Sequence, residues 1–140
     1  MWDPHKAWQI ADLEKVQKRA ARFVTGNYSL VEGNSKKNLS DLGWPLLAER
    51  RARAKLITLF KARQEVIDLP LDDLTPVGRT TRNSDLKYRI PQSSVDSHLH
   101  SFFPSSIRLW NNLPQHTKAC DSVASFKSNI CYLTLSSAYN

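Results

Sequence analysis

Residues 7–25 read AWQIADLEKVQKRAARFVT, a stretch in which apolar side chains recur at steps of three and four. This spacing is typical of one face of an α-helix. The apolar residues of that face are Ile10, Leu13, Val16, Ala20, Phe23 and Val24. Asp3-Pro4 before the stretch and Gly26-Asn27 after it are common start and stop signals. The sequence predicts a helix from Ala7 to Thr25 whose apolar side faces a core.

The other side of this predicted helix is basic. Lys15, Lys18 and Arg22 lie nearly opposite the apolar face, and Arg19 lies beside them. Three interpretations are open: the solvated side of a core helix, a surface that contacts nucleic-acid phosphates, or a surface that binds a membrane or a partner helix.

Two further helices are predicted in the same half of the chain. A short one covers Ser35 to Leu42, with Asn34 or Ser35 as its cap and Gly43 as its stop. Trp44-Pro45 opens the longest helix, which runs to about Ile67 before Pro70. Its predicted core residues are Ala52, Leu56, Leu59, Phe60, Val66 and Ile67.

Basic residues also accompany this longest helix. Most of them lie outside its apolar face, namely Arg50, Arg51, Lys55 and Lys61. Arg63 falls on the apolar side and must extend to solvent or find a partner.

The C-terminal half changes character. Residues 71–97 are rich in turn signals and predict an irregular insert or a short β-hairpin. Pro104 is placed to begin a short helix that turns Ile107, Trp110 and Leu113 inward, and Ser122 is placed to cap a last helix. The expected fold is therefore mainly α, with four to five helices in a single domain or fragment: a basic helical half (1–67), the insert (68–100) and the aromatic segment with the last helix (101–140).

Charge indicates the class of partner. The chain of 140 residues has 20 Lys and Arg against 13 Asp and Glu, a net charge of +7, of which residues 1–67 carry +6. An excess of this kind favours polyanions such as RNA or DNA. The apolar runs are far shorter than the ~20 residues that span a bilayer, so no membrane partner is expected. Two cysteines form no disulfide framework, which favours an intracellular setting.

Several segments together resemble the C-terminal region of jockey-like non-LTR retrotransposon reverse transcriptases. The most specific is Ser101-Phe102-Phe103-Pro104 with Trp110-Asn111-Asn112-Leu113-Pro114. The others are Trp2-Asp3-Pro4, residues 18–24 (KRAARFV), Leu42-Gly43-Trp44 and Glu49-Arg50-Arg51. In that family this region follows the palm and thumb of the polymerase. The resemblance implies an accessory tail of an RNA-directed DNA polymerase, nuclear for the parent element.

The resemblance does not extend to catalysis. Reverse transcriptases hold two metal ions with an aromatic-x-Asp-Asp turn and a distant Asp, whereas Asp72-Asp73 here follow Pro70 in place of the aromatic residue. The histidines and cysteines have irregular spacings, so no zinc or other cofactor is expected. Cys131 is expected to pack as a small apolar residue near Ile130.

The expected function is a non-catalytic accessory region that contacts RNA or DNA without sequence preference. Its candidate contact residues are Lys15, Lys18, Arg19, Arg22, Arg50, Arg51, Lys55 and Lys61. Two alternatives stay open: a structural tail that packs on the rest of the polymerase, or a truncated element copy without function.

Overall fold

The computed structural model describes residues 3–29, 31, 33–70, 74–77, 87–92 and 94–131. The helices within these ranges are α1 (Ala7–Thr25), α2 (Asn34–Asp41), α3 (Leu47–Arg63), α4 (Asp96–Leu99), α5 (Phe102–Asn111), α6 (Gln115–Lys118) and α7 (Val123–Cys131). The prediction of a mainly α fold is confirmed. Within the described ranges, extended pairing is limited to one antiparallel bridge between Pro76 and Tyr88. Residues 78–86, where a hairpin would turn, lie outside those ranges.

The chain divides into two compact units, Met1–Arg51 and Ala52–Asn140. The division falls within α3, earlier than the change of composition after residue 67 would place it. Unit 1 contains α1, α2 and the first turn of α3, and unit 2 contains the rest.

Unit 1 begins with the helix that the sequence predicts, with the same bounds. Gly26 ends α1 in the left-handed conformation, at φ 65°, which glycine adopts without a steric penalty. Three asparagine amides then join the ends of α1 and α2. Asn27 Nδ2 donates to Asn34 Oδ1 (2.8 Å), Asn34 Nδ2 donates to Asn27 Oδ1 (3.0 Å), and Asn38 Nδ2 donates to the Asn27 carbonyl (3.2 Å).

The prediction that the apolar side of α1 faces a core is wrong. Val16, Phe23 and Val24 are 66%, 76% and 57% exposed. The buried residues of α1 are instead Glu14, Gln17 and Ala21.

The reason lies in the chain that leads into α3. The first N–H groups of a helix have no partner within that helix, and Glu14 Oε1 accepts one of them, from Ala48, at 2.9 Å. Gln17 Nε2 donates to the Pro45 carbonyl at 2.9 Å. A carboxylate at a helix N-terminus is also stabilised by the helix dipole. These polar contacts hold the Glu14 side of α1 inward.

The junction between α2 and α3 follows the predicted signals, with shifted bounds. Gly43, at φ 63°, closes the end of α2 in a left-handed turn in which its N–H donates to Ser40 and the Trp44 N–H donates to Leu39, both at 2.9 Å. Trp44 is 37% exposed. The end of α3 is earlier than predicted, at Arg63, because the chain turns at Glu65 with φ 56°.

Unit 2 is built around α3, α5 and α7. Its core contains Ala52, Leu56, Leu59, Phe60, Leu109, Trp110, Leu113, Phe126 and Ile130. Phe60 stacks on Phe126 with ring centroids 4.2 Å apart, and Trp110 lies 5.9 Å from Phe126. The predicted inward residues Ile107, Trp110 and Leu113 are confirmed as buried. Of the other predicted core residues, Val66 is 60% exposed, because α3 ends before it.

The segment Trp110-Asn111-Asn112-Leu113-Pro114 ties α5 to two neighbours. Asn111 Nδ2 donates to the Tyr88 carbonyl (2.8 Å) and Asn111 Oδ1 accepts from the Tyr88 N–H (3.0 Å), as a neighbouring strand would. Pro114 precedes α6, a short helix that the sequence analysis missed. Ser122 Oγ accepts from the Ser125 N–H at 3.2 Å, which confirms the predicted cap of α7.

Two side-chain hydroxyls among the described residues of unit 2 are fully buried. Ser106 Oγ and Thr117 Oγ1 belong to residues with 0% exposure, and neither makes a hydrogen bond within the described part of the chain.

Candidate nucleic-acid interface

Four of the eight predicted contact residues form one stripe on α1, which we call the basic stripe: Lys15, Lys18, Arg19 and Arg22. Lys15 and Arg19 are exposed, and Lys18 and Arg22 are half-buried. Lys15 Nζ lies 2.8 Å from Asp12 Oδ1, but both side chains are more than half exposed. Exposed ion pairs of this kind contribute little, so Asp12 does not prevent Lys15 from contacting a phosphate.

The two arginines at the start of α3 differ in their surroundings. Arg50 is exposed. Arg51 forms an ion pair with Asp3 (Nε to Oδ1, 3.1 Å), and their side chains are only 18% and 12% exposed. Arg51 is therefore already matched by a carboxylate of unit 1.

Lys55 and Lys61 belong to unit 2, and the prediction that Lys55 lies outside the apolar face of α3 is wrong. Lys55 is 4% exposed. Its Nζ donates to Ser105 Oγ at 2.9 Å. An acceptor on α5 thus allows the ammonium group to be buried beside the apolar residues of α3. Lys61 is half-buried.

Arg63, by contrast, finds the partners that its position on the apolar side requires. Its Nη1 donates to the Lys118 carbonyl at 3.2 Å. Its guanidinium lies 5.6 Å from the centre of the Trp110 ring, within the range of a cation–π contact. Arg63 is a structural residue of unit 2.

Lys118 is a second buried lysine, and no local signal in the sequence distinguishes it from a surface residue. It is 2% exposed, and its Nζ donates to the Asn111 carbonyl at 3.1 Å, at the end of α5. Burial lowers the pKa of the Lys118 ammonium below its usual value, and the nearby Lys87 charge lowers it further. Lys118 therefore belongs to the packing of unit 2 rather than to its charged surface.

The net positive charge is divided more evenly between the two compact units than between residues 1–67 and residues 68–140. Unit 1 has nine basic and six acidic residues, a net charge of +3, and unit 2 has eleven against seven, +4. Unit 1 also exposes Lys36 and Lys37 on α2, which the sequence analysis did not select. Two adjacent lysines in a short polar helix are the signal that could have found them.

Trp110 is not accessible to stack on an unpaired base. Its ring is fully buried, as the prediction that Trp110 turns inward requires. Phe102 and Phe103 are half-buried and pack edge to face, with centroids 5.2 Å apart.

Of the cysteines, Cys131 is exposed, so its expected packing beside Ile130 is wrong. It is the last residue of α7, and its carbonyl accepts from Arg53 Nη2 at 3.2 Å. Asp72, Asp73 and the basic residues Arg79 and Arg82 lie outside the described ranges.

None of the helices described is both long and apolar enough to cross a membrane. Comparison of the chain with protein-family models, with curated proteins and with solved structures finds no match.

Proposed function

We propose that this chain is a non-catalytic accessory region of a non-LTR retrotransposon reverse transcriptase that contacts RNA or DNA through the basic stripe of α1. Two observations support this proposal. The resemblance of residues 101–114 and of the other quoted segments supports the relation to that family, and the basic stripe supports the contact with nucleic acid. The observation that carries the nucleic-acid contact is that four basic side chains follow one side of α1, and that among the described residues Asp12 is the one carboxylate paired with them.

The size of the stripe suits a phosphate backbone. Lys15 and Arg22 are seven residues apart, which is roughly 10 Å along an α-helix. Successive phosphates of one duplex strand are about 3.4 Å apart along the axis, so the length of the stripe equals about three phosphate spacings. Nothing in its geometry provides base-reading contacts, so binding is expected to tolerate changes of sequence.

The test is a salt series. Labelled single-stranded RNA and duplex DNA are titrated with the full chain and with the triple variant Lys15→Glu, Lys18→Glu, Arg19→Glu, with fluorescence anisotropy as the readout. The binding constant falls as salt is added, and each lost phosphate contact makes the slope of log K against log salt less steep by about 0.7–0.9. We expect the variant to bind at least tenfold more weakly and its slope to be less steep by about 2–3.

The matched control exchanges three exposed basic residues of unit 2, Lys87, Arg89 and Lys127, for Glu. Lys118 is unsuitable because it is buried. Equal losses in the two variants would mean that only net charge matters. Unchanged binding and slope in the stripe variant would contradict the proposed contact.

A second candidate function, a structural tail that packs on the rest of the polymerase, is favoured by a different observation. Val16, Phe23 and Val24 present apolar side chains on the surface of α1. Adjacent exposed apolar residues often mark sites of protein interaction.

A further inference from the structure

We propose that the exposed apolar side of α1 docks a single α-helix of a partner protein region, one whose apolar ridge is bordered on one edge by carboxylates. The inference rests on the second candidate function and not on nucleic-acid binding. We call this side of α1 the apolar strip; its residues are the exposed Val16, Ala20, Phe23 and Val24 and the half-buried Leu13.

The apolar strip borders the contacts that hold α1 in unit 1 but does not include the residues that make them. Those contacts are made by the Glu14, Gln17 and Ala21 side of the helix. Phe23 is 76% exposed, more than any other large apolar side chain in the described part of the chain. Phe23 is not isolated, because Val16 and Val24 on the same side of the helix are 66% and 57% exposed. A group of neighbouring exposed apolar side chains, unlike a single one, marks a surface that another molecule covers.

The spacing of the apolar strip matches a helix as its occupant. Its residues are separated by three, four, three and one positions, the pattern of a seam between two packed helices. From Leu13 to Val24 the strip is about 16 Å long, or three turns. A partner helix of three to four turns would cover it.

The charges beside the apolar strip indicate which residues should flank the apolar ridge of the partner helix. Viewed down the axis of α1, the residue next to the apolar strip on one edge is Asp12. Arg19 and Lys15 of the basic stripe come next, further round the helix. Its other edge is Gln17, which is buried. A docked helix therefore meets positive charge along one edge only, at residues one turn apart. Carboxylates at the same spacing on the partner complement them.

The same charges disfavour a second copy of this chain. Packed parallel, two apolar strips would set each basic stripe against the Gln17 edge of the other copy, where the bordering residue is an amide and not a carboxylate. Packed antiparallel, they would set the two basic stripes against each other, and among the described residues Asp12 is the one carboxylate paired with a stripe. Like charges across an interface are destabilising.

The test uses the full chain and two labelled, helix-stabilised peptides of about 15 residues. Both have Leu at i, i+3, i+7 and i+10; one has Glu along one edge and the other has Lys there. Anisotropy should show that the Glu peptide binds. Val16→Ser and Phe23→Ser should each weaken this binding about tenfold, whereas Val66→Ser, at a site 60% exposed in unit 2, should not.

Charge reversal gives the sharper readout. Arg19→Glu should weaken the Glu peptide and strengthen the Lys peptide, with circular dichroism and melting temperature unchanged because Arg19 is exposed. The proposal is overturned if neither peptide binds, or if both bind alike. It is also overturned if Phe23→Ser instead abolishes a concentration-dependent dimer in sedimentation or binding to phosphatidylglycerol vesicles. RNA affinity of Val16→Ser and Phe23→Ser, which keep the whole basic stripe, reports separately on the proposed nucleic-acid contact, so either proposal can fail alone.

Discussion

The two adjacent asparagines Asn111 and Asn112 have different roles. Asn111 makes two hydrogen bonds to the backbone of Tyr88, whereas the Asn112 side chain is exposed. The sequence alone identifies the pair but not this difference, because the partner lies 23 residues away.

We therefore predict that Asn111→Ala lowers the free energy of unfolding by about 1–3 kcal/mol, because it removes both bonds and leaves the Tyr88 groups unmatched. Asn112→Ala is the matched control and should cost less than about 0.5 kcal/mol. Urea denaturation measures both. Equal losses would contradict the assigned role of the Asn111 amide.

Lys118 gives a prediction about pH. Its pKa is lowered from 10.5 in the folded chain, first by burial and then by the Lys87 charge, and returns to its usual value on unfolding. Between the two values the unfolded state binds more protons, so the Lys118 contribution to stability rises with pH.

We expect the unfolding free energy of the wild-type chain, relative to that of Lys118→Met, to increase as the pH is raised from 7 towards 10.5. Urea denaturation of both proteins across this range measures the difference. A difference that does not change with pH would show that Lys118 keeps an ordinary pKa.

At the scale of the element, α1 separates what local sequence determines from what it does not. Its bounds were predictable because Gly26 and the three-and-four spacing are local signals. Which side it buries was not, because that depends on Ala48 and Pro45. The hydrophobic pattern of α1 contains no information about the N–H groups at the start of α3, which need a hydrogen-bond acceptor from outside their own helix.

The candidate site shows the same limit. The basic stripe could be read from helical periodicity alone. The burial of Lys55 could not, since its acceptor, Ser105, lies 50 residues further along the chain.

The turn between α2 and α3 provides a prediction at this scale. Gly43→Ala should lower the free energy of unfolding by about 1–2 kcal/mol, because φ 63° is unfavourable for a residue with a Cβ. Apart from its two chain neighbours, no described residue has an atom within 4 Å of the added Cβ, so the loss comes from the backbone conformation. Gly43→Asn should cost less, because asparagine tolerates this conformation. Urea denaturation checks both variants, and an Asn variant as unstable as the Ala variant would be inconsistent with this account.

At the scale of the whole molecule, we predict that the purified chain does not extend a primer on an RNA or DNA template. The aromatic-x-Asp-Asp pattern that holds the metal ions of reverse transcriptases is missing from the sequence. A primer-extension assay with Mg²⁺ or Mn²⁺ makes the check. Incorporation that disappears in Asp72→Asn with Asp73→Asn would instead place a polymerase site in this chain.

The buried hydroxyls of Ser106 and Thr117 bear on how the sequence tolerates mutation. A hydroxyl that loses water on folding and gains no partner among the described residues costs about 1–3 kcal/mol. Ala at 106 and Val at 117 would remove that cost with little change of shape. Replacing either hydroxyl should therefore stabilise unit 2, and a variant with one of these changes could tolerate a destabilising substitution elsewhere in unit 2 without losing its fold.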